Sequence, residues 1–218
     1  MCLVSCVVFG AKYLSKDEVS KKRIIEVGSY DVNGTIRPIV ESWEPAEYLG
    51  VDLEEGPGVD LTCNAENLLE IFKKESFDIV ISTELIEHVR DWRKVISNLK
   101  SICKTDGLIL ITTRSYGFGY HAYPHDFWRY ELEDIQNIFS DCEILALEKD
   151  CQAPGVFLKA RKPITFHEND LSSFNLYSVV VNKRVNKITD KDFQTFYFNQ
   201  LILKDKLRNF LFKVMCSF

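Results

Sequence analysis

Short apolar segments alternate with amphipathic ones along the first three quarters of the chain. The apolar segments are short and end at polar or turn-forming residues, as in RIIEV followed by GS and FDIVIS followed by TE. Largely apolar runs of this length are typical of strands buried on both faces of a parallel sheet. The pattern predicts strands at 23–27, 48–52, 77–82, 108–112, 143–148 and 156–160.

Helical periodicity fills the intervals between these strands. It is clearest at 91–103, where Trp92, Val95, Ile96, Leu99 and Ile102 recur at three- and four-residue steps. Asp91 is the expected N-cap, and Gly107 follows the end of the helix as a stop signal. A second helix is predicted at 133–139. Strands that alternate with helices indicate an open α/β sheet covered on both faces.

The pattern changes after about residue 163. A further strand is predicted at 176–181 and a phenylalanine-rich helix at 191–215. From residue 183 onward the tail carries eight Lys or Arg and three Asp. Two interpretations stay open. The basic, aromatic tail contacts a membrane surface or an acidic partner, or it packs on the sheet with its lysines in solvent.

Composition narrows the class of protein. With 218 residues, 46% hydrophobic and 27% charged, the chain fits one soluble α/β domain. A net charge of -5 gives no reason to expect nucleic-acid binding. No apolar run has the roughly 18–20 residues of a membrane span, and the apolar start does not have the pattern of a signal peptide.

The seven cysteines are odd in number and scattered, which favours reduced thiols and a cytoplasmic location. The close pair Cys2 and Cys6 is a weak metal signal, and buried apolar side chains are the alternative reading.

The loop IIEVGSYDVNG looks like a strand that enters a nucleotide-binding turn. The dinucleotide fingerprint G-x-G-x-x-G would place Gly28, Tyr30 and Asn33 in its three glycine positions. Tyr30 obstructs the close approach of a pyrophosphate, and the carboxylate of Glu26 would repel one. No G-x-x-x-x-G-K-[ST] motif is present. The turn therefore favours a nucleoside with a cationic tail, and S-adenosylmethionine fits that description.

Asp52 supports the same ligand. It ends the second predicted strand, near the spacing of about 20 residues at which an acidic side chain binds ribose hydroxyls. A carboxylate only accepts hydrogen bonds, so it suits two hydroxyl donors. A solvated carboxylate at a strand end is the alternative.

Taken together, IIEVGSYDVNG, YLGVDLEEGPGVDLTCNAENL, FDIVISTELIEHVRDW and KTDGLILITT resemble class I S-adenosylmethionine-dependent methyltransferases, closest to those called methyltransferase type 11. The resemblance covers about residues 22–163. It implies a Rossmann-like doubly wound, mostly parallel seven-stranded sheet whose last strand is antiparallel, with a short strand at 59–62. It also implies a methyltransferase domain over 1–163, with an extension at 164–218 that packs on the same domain.

The resemblance also implies which residues hold the cofactor. Glu26 and the turn at Gly28 and Ser29 would bind the methionine part of the cofactor, and Asp52 would bind its ribose. Leu53, Asn64 and Ala65 would contact the adenine. The implied set is Glu26, Gly28, Ser29, Tyr30, Asp52, Leu53, Asn64, Ala65, Thr83 and Glu84. Tyr30 departs from the glycine of many relatives, which leaves the shape of the loop open.

Substrate residues are expected in the segment 113–130, because ligands of open α/β sheets bind beyond the carboxyl ends of the strands. His121 or His125 is the candidate general base, since imidazole titrates near neutral pH. Tyr123 and Arg129 are the candidate substrate contacts, with Arg129 holding an anionic group. Alternatively, Asp126 and Arg129 simply pair with each other. A metal bound by His121, His125 and Asp126 is a further interpretation, although the loop is irregular and no metal is predicted.

The expected function is methyl transfer from S-adenosylmethionine to a small-molecule, sugar or lipid-linked acceptor, on oxygen. The alternatives are a non-catalytic cofactor-binding or interaction module and a metal-assisted hydrolase. STELIEHV lacks the Asn/Asp-Pro-Pro-aromatic tetrapeptide of many amide and nucleobase amino methyltransferases. DNA or RNA amino methylation is therefore disfavoured.

Overall fold

The protein is described by a computed structural model that covers residues 3–121 and 124–215. Ten strands form two sheets. The strands are β1 (Arg23–Val27), β2 (Glu47–Asp52), β3 (Leu61–Thr62), β4 (Phe77–Thr83), β5 (Cys103–Arg114), β6 (Trp128–Arg129), β7 (Glu143–Lys149), β8 (Gly155–Arg161), β9 (Leu176–Ser178) and β10 (Lys183–Val185).

Seven α-helices and three short 3-10 turns connect the strands in the described residues. The helices are α1 (Val4–Tyr13), α2 (Lys16–Val19), α3 (Arg37–Glu41), α4 (Leu68–Ile71), α5 (Trp92–Ile102), α6 (Leu132–Ile138) and α7 (Phe196–Met215). The 3-10 turns are Ala65–Asn67, Ile86–His88 and Asp190–Gln194.

The large sheet has the order β3-β2-β1-β4-β5-β8-β7. Neighbours from β3 to β5 pair in parallel, whereas β8 runs antiparallel to both β5 and β7. This is the Rossmann-like, doubly wound arrangement with an antiparallel last strand that the sequence predicted, and the prediction is confirmed. From β1 the chain adds β2 and β3 on one side and then crosses over to add β4 and β5 on the other side. Such a switch point in strand order is where open α/β sheets bind ligands.

Alternate residues of the central strands feed two separate cores, because successive side chains of a strand point to opposite faces. Ile25 and Val80 belong to the core covered by α5, α6 and the C-terminal extension. Ile24 and Ile79 belong to the core covered by α1. Both faces of the strands are therefore buried, which explains why the strand segments read as continuous apolar runs.

Helix α5 follows its sequence signals at the start but not at the end. The side chain of Asp91 caps it by accepting a hydrogen bond from the Lys94 amide at 3.2 Å. The helix ends at Ile102, and Cys103 already begins β5. Gly107 lies inside that strand, where a Cβ would come within 2.8 Å of the Asp78 carbonyl oxygen. Its role is close backbone contact between strands, not helix termination.

The C-terminal extension is built into the main core. Strand β9 pairs with β6 and β10 in a three-stranded antiparallel sheet. Leu176, Val180 and Phe198 are buried in the same cluster as α5. The predicted strand at 176–181 is shorter than expected, and the predicted helix at 191–215 is a 3-10 turn followed by α7. Among the described residues, no helix is long and apolar enough to cross a bilayer.

Candidate functional site

A cavity of about 590 Å³ opens beyond the carboxyl ends of β1, β2 and β4. This volume lies within the roughly 300–1,000 Å³ of small-molecule sites. All ten residues predicted to bind the cofactor line it: Glu26, Gly28, Ser29, Tyr30, Asp52, Leu53, Asn64, Ala65, Thr83 and Glu84. The fold therefore brings together residues that are up to 58 positions apart in sequence, although their roles stay predictions.

The turn after β1 depends on the glycine at its first position. Gly28 has a φ of +86°, a conformation that L-residues with side chains rarely adopt. A Cβ at this position would also lie 2.9 Å from the Cβ of Leu85. The amides of Gly28 and Ser29 both donate to the Val51 carbonyl, at 2.9 and 3.1 Å. The turn is thus tied to the end of β2, and it lies directly against the segment after β4.

Tyr30 is accommodated by a second glycine that follows β2. The Tyr30 ring packs over Gly56, where an added Cβ would come within 2.2 Å of the ring. The Tyr30 amide donates to Asp52 at 3.0 Å, and the Leu53 amide donates to the other carboxylate oxygen at 2.7 Å. The Asp52 side chain therefore holds two loops in place through hydrogen bonds from their backbone amides. Each carboxylate oxygen can accept more than one hydrogen bond, so Asp52 can still accept hydrogen bonds from hydroxyl groups of a ligand.

Glu26 is a buried carboxyl group on the wall of the cavity. Its oxygens accept hydrogen bonds from the hydroxyl groups of Tyr48 at 2.6 Å and Thr83 at 3.4 Å. Burial raises the pKa of Glu26 to about 7, although these hydrogen bonds act in the opposite direction. A cationic ligand beside this group would stabilise its ionised form.

The loop after β3 is held by a residue that the sequence analysis did not select. The Asn64 side chain caps its own turn by accepting from the Glu66 amide at 2.9 Å. From α5, the buried amide nitrogen of Asn98 donates to the carbonyls of Ala65 and Glu66, at 2.9 and 3.0 Å. A polar residue on the buried face of a predicted amphipathic helix was the signal that could have identified Asn98.

Glu84 borders the cavity, but its carboxylate points into the protein. Its backbone has a φ of +56°, and its carboxylate is ion-paired with Arg114. Arg114 is fully buried and also pairs with Asp150 at 3.0 Å. Cys6 of α1 contributes its sulfur to the same cluster. Glu84 thus links the wall of the cavity to α1, which no local sequence pattern indicated.

The opposite wall of the cavity is largely apolar and comes from three distant parts of the chain. The segment after β4 contributes His88, Val89 and Arg90, the loop before β6 contributes Pro124, His125 and Phe127, and the C-terminal extension contributes Phe193. Arg90 is held in place by Asp190 at 2.7 Å and lies over the Phe193 ring. His125 is the one predicted histidine on this wall in the described part of the chain.

Two predicted site residues do not reach the cavity. Arg129 is 1% exposed, and its guanidinium is used by Asp126, at 2.6 and 2.9 Å, and by the carbonyls of Phe118 and Gly119. The predicted substrate contact at Arg129 is therefore wrong, and the alternative pairing with Asp126 is correct. His121 lies behind His88, with their Nε2 atoms 3.2 Å apart. Tyr123 and Cys2 lie outside the described residues.

The trio of the alternative metal interpretation, His121, His125 and Asp126, is not assembled, because Asp126 pairs with Arg129 and the ring of His125 packs on Phe127. The described residues instead group Glu87 and His88 with His121. Glu87 and His88 come shortly after β4 in STELIEHV. This position makes them site candidates, because open α/β sheets bind ligands beyond the carboxyl ends of their strands.

A sequence profile for the family described as "Methyltransferase domain" matches residues 10–151, which is more than half of the chain. The chain belongs to this methyltransferase family. It is an S-adenosylmethionine-dependent methyltransferase, as the sequence resemblance predicted. A search of curated protein sequences found no significant match.

Solved structures share the fold of this methyltransferase at low identity. A methyltransferase from Mesorhizobium loti is 16% identical, with a TM-score of 0.54 over 70% of this chain and 95% of that one. The 1,6-didemethyltoxoflavin-N1-methyltransferase of Burkholderia thailandensis is 11% identical, with a TM-score of 0.58 over 73% and 77%. Phosphoethanolamine N-methyltransferase 2 of Haemonchus contortus is 17% identical, with a TM-score of 0.56 over 73% and 52%.

The lining of the cavity fits the cofactor chemically. Among the described lining residues, carboxylates outnumber Lys and Arg, which suits a ligand with cationic groups and no phosphate. The buried Ser29 hydroxyl has no hydrogen-bond partner among the residues that the structure describes, so it is available to bond a polar ligand group. Glu26 and Asp52 supply acceptors at two separate places on the wall.

Proposed function

We propose that this methyltransferase methylates a hydroxyl oxygen of a small organic acceptor. One observation carries the proposal: the cavity has an acidic half at the ends of β1 and β2 and an apolar, aromatic half formed by Val89, Phe127 and Phe193. The acidic half suits the cofactor. The aromatic half is left for an acceptor with an apolar or ring-shaped body.

In this proposal Glu26 and Ser29 hold the amino-acid part of S-adenosylmethionine, and Asp52 accepts hydrogen bonds from its ribose. The residues Leu53, Asn64 and Ala65 flank the adenine. When bound, the cofactor supplies an electrophilic methyl group. The protein contributes mainly by positioning the two reactants, which replaces a bimolecular encounter by an aligned, effectively unimolecular one.

His125 is the proposed proton acceptor on the substrate side. It lines the cavity, and its backbone carbonyl is fixed by a hydrogen bond from the Nδ1 of His88 at 2.5 Å. A hydroxyl must lose its proton when its oxygen forms a new bond to carbon, and imidazole is the side chain suited to that transfer near neutral pH. His121 is not proposed in this role, because His88 separates it from the cavity.

The test is release of S-adenosylhomocysteine from a panel of acceptors in three chemical groups: phenols and other ring alcohols, free or lipid-linked sugars, and amines of matched size. We expect turnover with a ring alcohol. His125→Ala should lower kcat about 10²-fold or more, and His167→Ala, at an exposed position, should not. Turnover with the amines alone, or binding of S-adenosylhomocysteine without turnover of any acceptor, would contradict the proposal.

A further inference from the structure

Three chemically reactive side chains meet at the edge of the cavity. His88 lines the cavity, and its Nε2 lies 3.2 Å from the Nε2 of His121 and 3.9 Å from Oε1 of Glu87. The three atoms all lie within 4.8 Å of one another. The two histidines are partly buried and Glu87 is fully buried.

The hydrogen bonds of the two rings fix where their protons are. Nδ1 of His88 faces the carbonyl oxygen of His125, which only accepts hydrogen bonds. Nδ1 of His121 faces a carboxylate oxygen of Asp126 at 3.0 Å and the carbonyl of Gly119 at 3.2 Å, which are also acceptors. Both Nδ1 atoms therefore carry a hydrogen. In neutral rings, both Nε2 atoms then present lone pairs to each other at 3.2 Å. Either a proton or a metal cation between them relieves this repulsion.

Glu87 supplies a third lone pair at the same place. Its Oε2 accepts a hydrogen bond from the Thr113 hydroxyl at 2.9 Å. Its Oε1 is buried and has no hydrogen-bond partner within the described protein. A buried acceptor without a donor destabilises a protein, so a ligand that supplies the missing contact is expected here. This oxygen and the two Nε2 atoms lie within 4.8 Å of one another.

We propose that Glu87, His88 and His121 bind a divalent transition-metal cation of the zinc type. Two imidazole nitrogens and one carboxylate oxygen are the ligand set of many catalytic zinc sites, whereas Mg²⁺ and Ca²⁺ prefer all-oxygen sites. With metal–nitrogen bonds of about 2.0–2.1 Å, two ligands of a tetrahedral site lie about 3.3 Å apart. The 3.2 Å between the two Nε2 atoms matches this value. Oε1 of Glu87, at 3.9 Å from Nε2 of His88, must move closer to complete the site.

The surroundings of the trio are those that metal ligands need. Histidine ligands donate their second ring nitrogen to a carboxylate or carbonyl, which fixes the tautomer and the ring orientation. Here Asp126 does this for His121, and the His125 carbonyl does it for His88. Arg129 in turn holds Asp126 through two hydrogen bonds. The buried Arg129–Asp126 pair then has a positioning role at the site, which replaces the predicted substrate contact.

The cation would deepen the proposed function, and this step rests on it. Three protein ligands leave at least one coordination position, and His88 places the site on the cavity wall. An acceptor hydroxyl bound there would become more acidic. As its O–H bond breaks, the proton passes to His125 or water. Its oxygen forms the bond to the methyl carbon while the sulfur–methyl bond breaks, which yields a methyl ether and S-adenosylhomocysteine.

The test is cation binding by the full-length protein after treatment with a chelator. Zn²⁺ and Mg²⁺ are titrated separately by calorimetry, and bound zinc is counted by elemental analysis. We expect one Zn²⁺ per chain and at least 100-fold tighter binding of Zn²⁺ than of Mg²⁺. Glu87→Gln and His121→Asn should each weaken Zn²⁺ binding at least tenfold, whereas the control His167→Asn at an exposed position should leave it unchanged.

Two results would overturn the inference: less than one tenth of an equivalent of bound zinc, or zinc binding that neither variant changes. In either case a proton shared between the two rings would explain why their Nε2 atoms lie so close together. If a variant fails to fold, the ¹⁵N spectrum of histidine in the wild-type protein replaces it: zinc must shift the Nε2 signals of two rings. Zinc binding without methyl transfer would reject only the proposed function. Methyl transfer by zinc-free protein in chelator would reject only the role of the cation in the reaction.

Discussion

At the scale of single residues, the site is dominated by carboxylates that lie out of water. Glu26 is 2% exposed and Glu87 is fully buried, yet both border or adjoin the cavity. Burial disfavours the charged form of a carboxyl group unless a cation or hydrogen-bond donors compensate. A buried ionised carboxylate therefore lowers the stability of the unliganded protein, and the binding of a cationic ligand offsets this cost.

Glu26 makes the stability of the unliganded protein depend on pH. Its pKa is raised from 4.5 to about 7 by burial. The stability that this group contributes is fully present below pH 4.5 and is lost as the pH rises through 7. We expect Glu26→Gln to raise the free energy of unfolding at pH 8, by on the order of 3 kcal/mol at most, and to have little effect at pH 4.5. Denaturant titration at both pH values measures this difference.

The same residue should control cofactor affinity. Below pH 7 a proton must leave Glu26 before a cationic group binds beside it, so affinity for S-adenosylhomocysteine should fall up to tenfold per pH unit between pH 7 and 5. In Glu26→Gln the affinity should be lower at pH 7.5, and this slope should disappear. A slope that persists in the variant, measured by calorimetry, would assign the titration to another group.

Arg114 is the second charged residue whose role is set by burial. Its replacement by Met leaves the carboxylates of Glu84 and Asp150 buried without their cation. Loss of one partner from a buried pair costs about 3–5 kcal/mol. The control is Arg161→Met, whose pairs with Glu143 and Asp106 are exposed and are worth about 1 kcal/mol or less. Equal losses in the two variants, by chemical denaturation, would contradict this assignment.

At the scale of elements, the turn between β1 and α3 is the part most constrained by backbone geometry. Gly28→Ala introduces both a strained φ and a contact of 2.9 Å with Leu85. We expect a loss of more than 1 kcal/mol in stability and at least tenfold weaker binding of S-adenosylhomocysteine, because the turn must move away from β4.

Gly117, which is not among the residues that line the cavity, provides the matched control for this prediction. It also has a positive φ, of +97°, but an added Cβ would come no closer than 3.5 Å to Pro154, which is an ordinary contact. Gly117→Ala therefore carries only the backbone strain, and it should leave cofactor affinity within about twofold. If both variants bind S-adenosylhomocysteine equally well, the contact with Leu85 does not shape the site.

At the scale of the whole molecule, the C-terminal extension belongs to the same core as the sheet and supplies part of the cavity wall. Phe198 of α7 is 4% exposed, whereas Phe196, two residues earlier, is 78% exposed. Phe198→Ala should lower the free energy of unfolding by about 3–5 kcal/mol, and Phe196→Ala by about 0.5 kcal/mol or less. A small effect in both variants would mean that the extension does not stabilise the domain.

The basic character of the extension has a partly structural explanation. Arg184 pairs with Asp134 of α6, and Arg208 of α7 donates to the Tyr120 carbonyl. Leu203, Leu207 and Phe210 of α7 are nevertheless exposed. Contact of this helix with a membrane surface or an acidic partner therefore stays a prediction.

The sequence by itself determined the large sheet, through its strand pattern and its family resemblance, and it selected residues that line one half of the cavity. Strand runs, the glycine turn at Gly28 and the acid at Asp52 are local signals, because a strand buried on both faces or a positive φ restricts residue type at that position. Glu87 and His88 also follow a strand, so their position beyond a strand end could have selected them as site candidates.

Only the tertiary structure decided the other half of the cavity. His125 was a candidate from the sequence and Phe193 lies in the predicted C-terminal helix, but only packing brings both side chains to the ends of the strands. It likewise decided that Arg129 holds Asp126 instead of a substrate, and that His121 faces His88. A charged or imidazole side chain is equally compatible with a site, an ion pair or a metal ligand, and its partners are chosen by distance in space and not by distance along the chain.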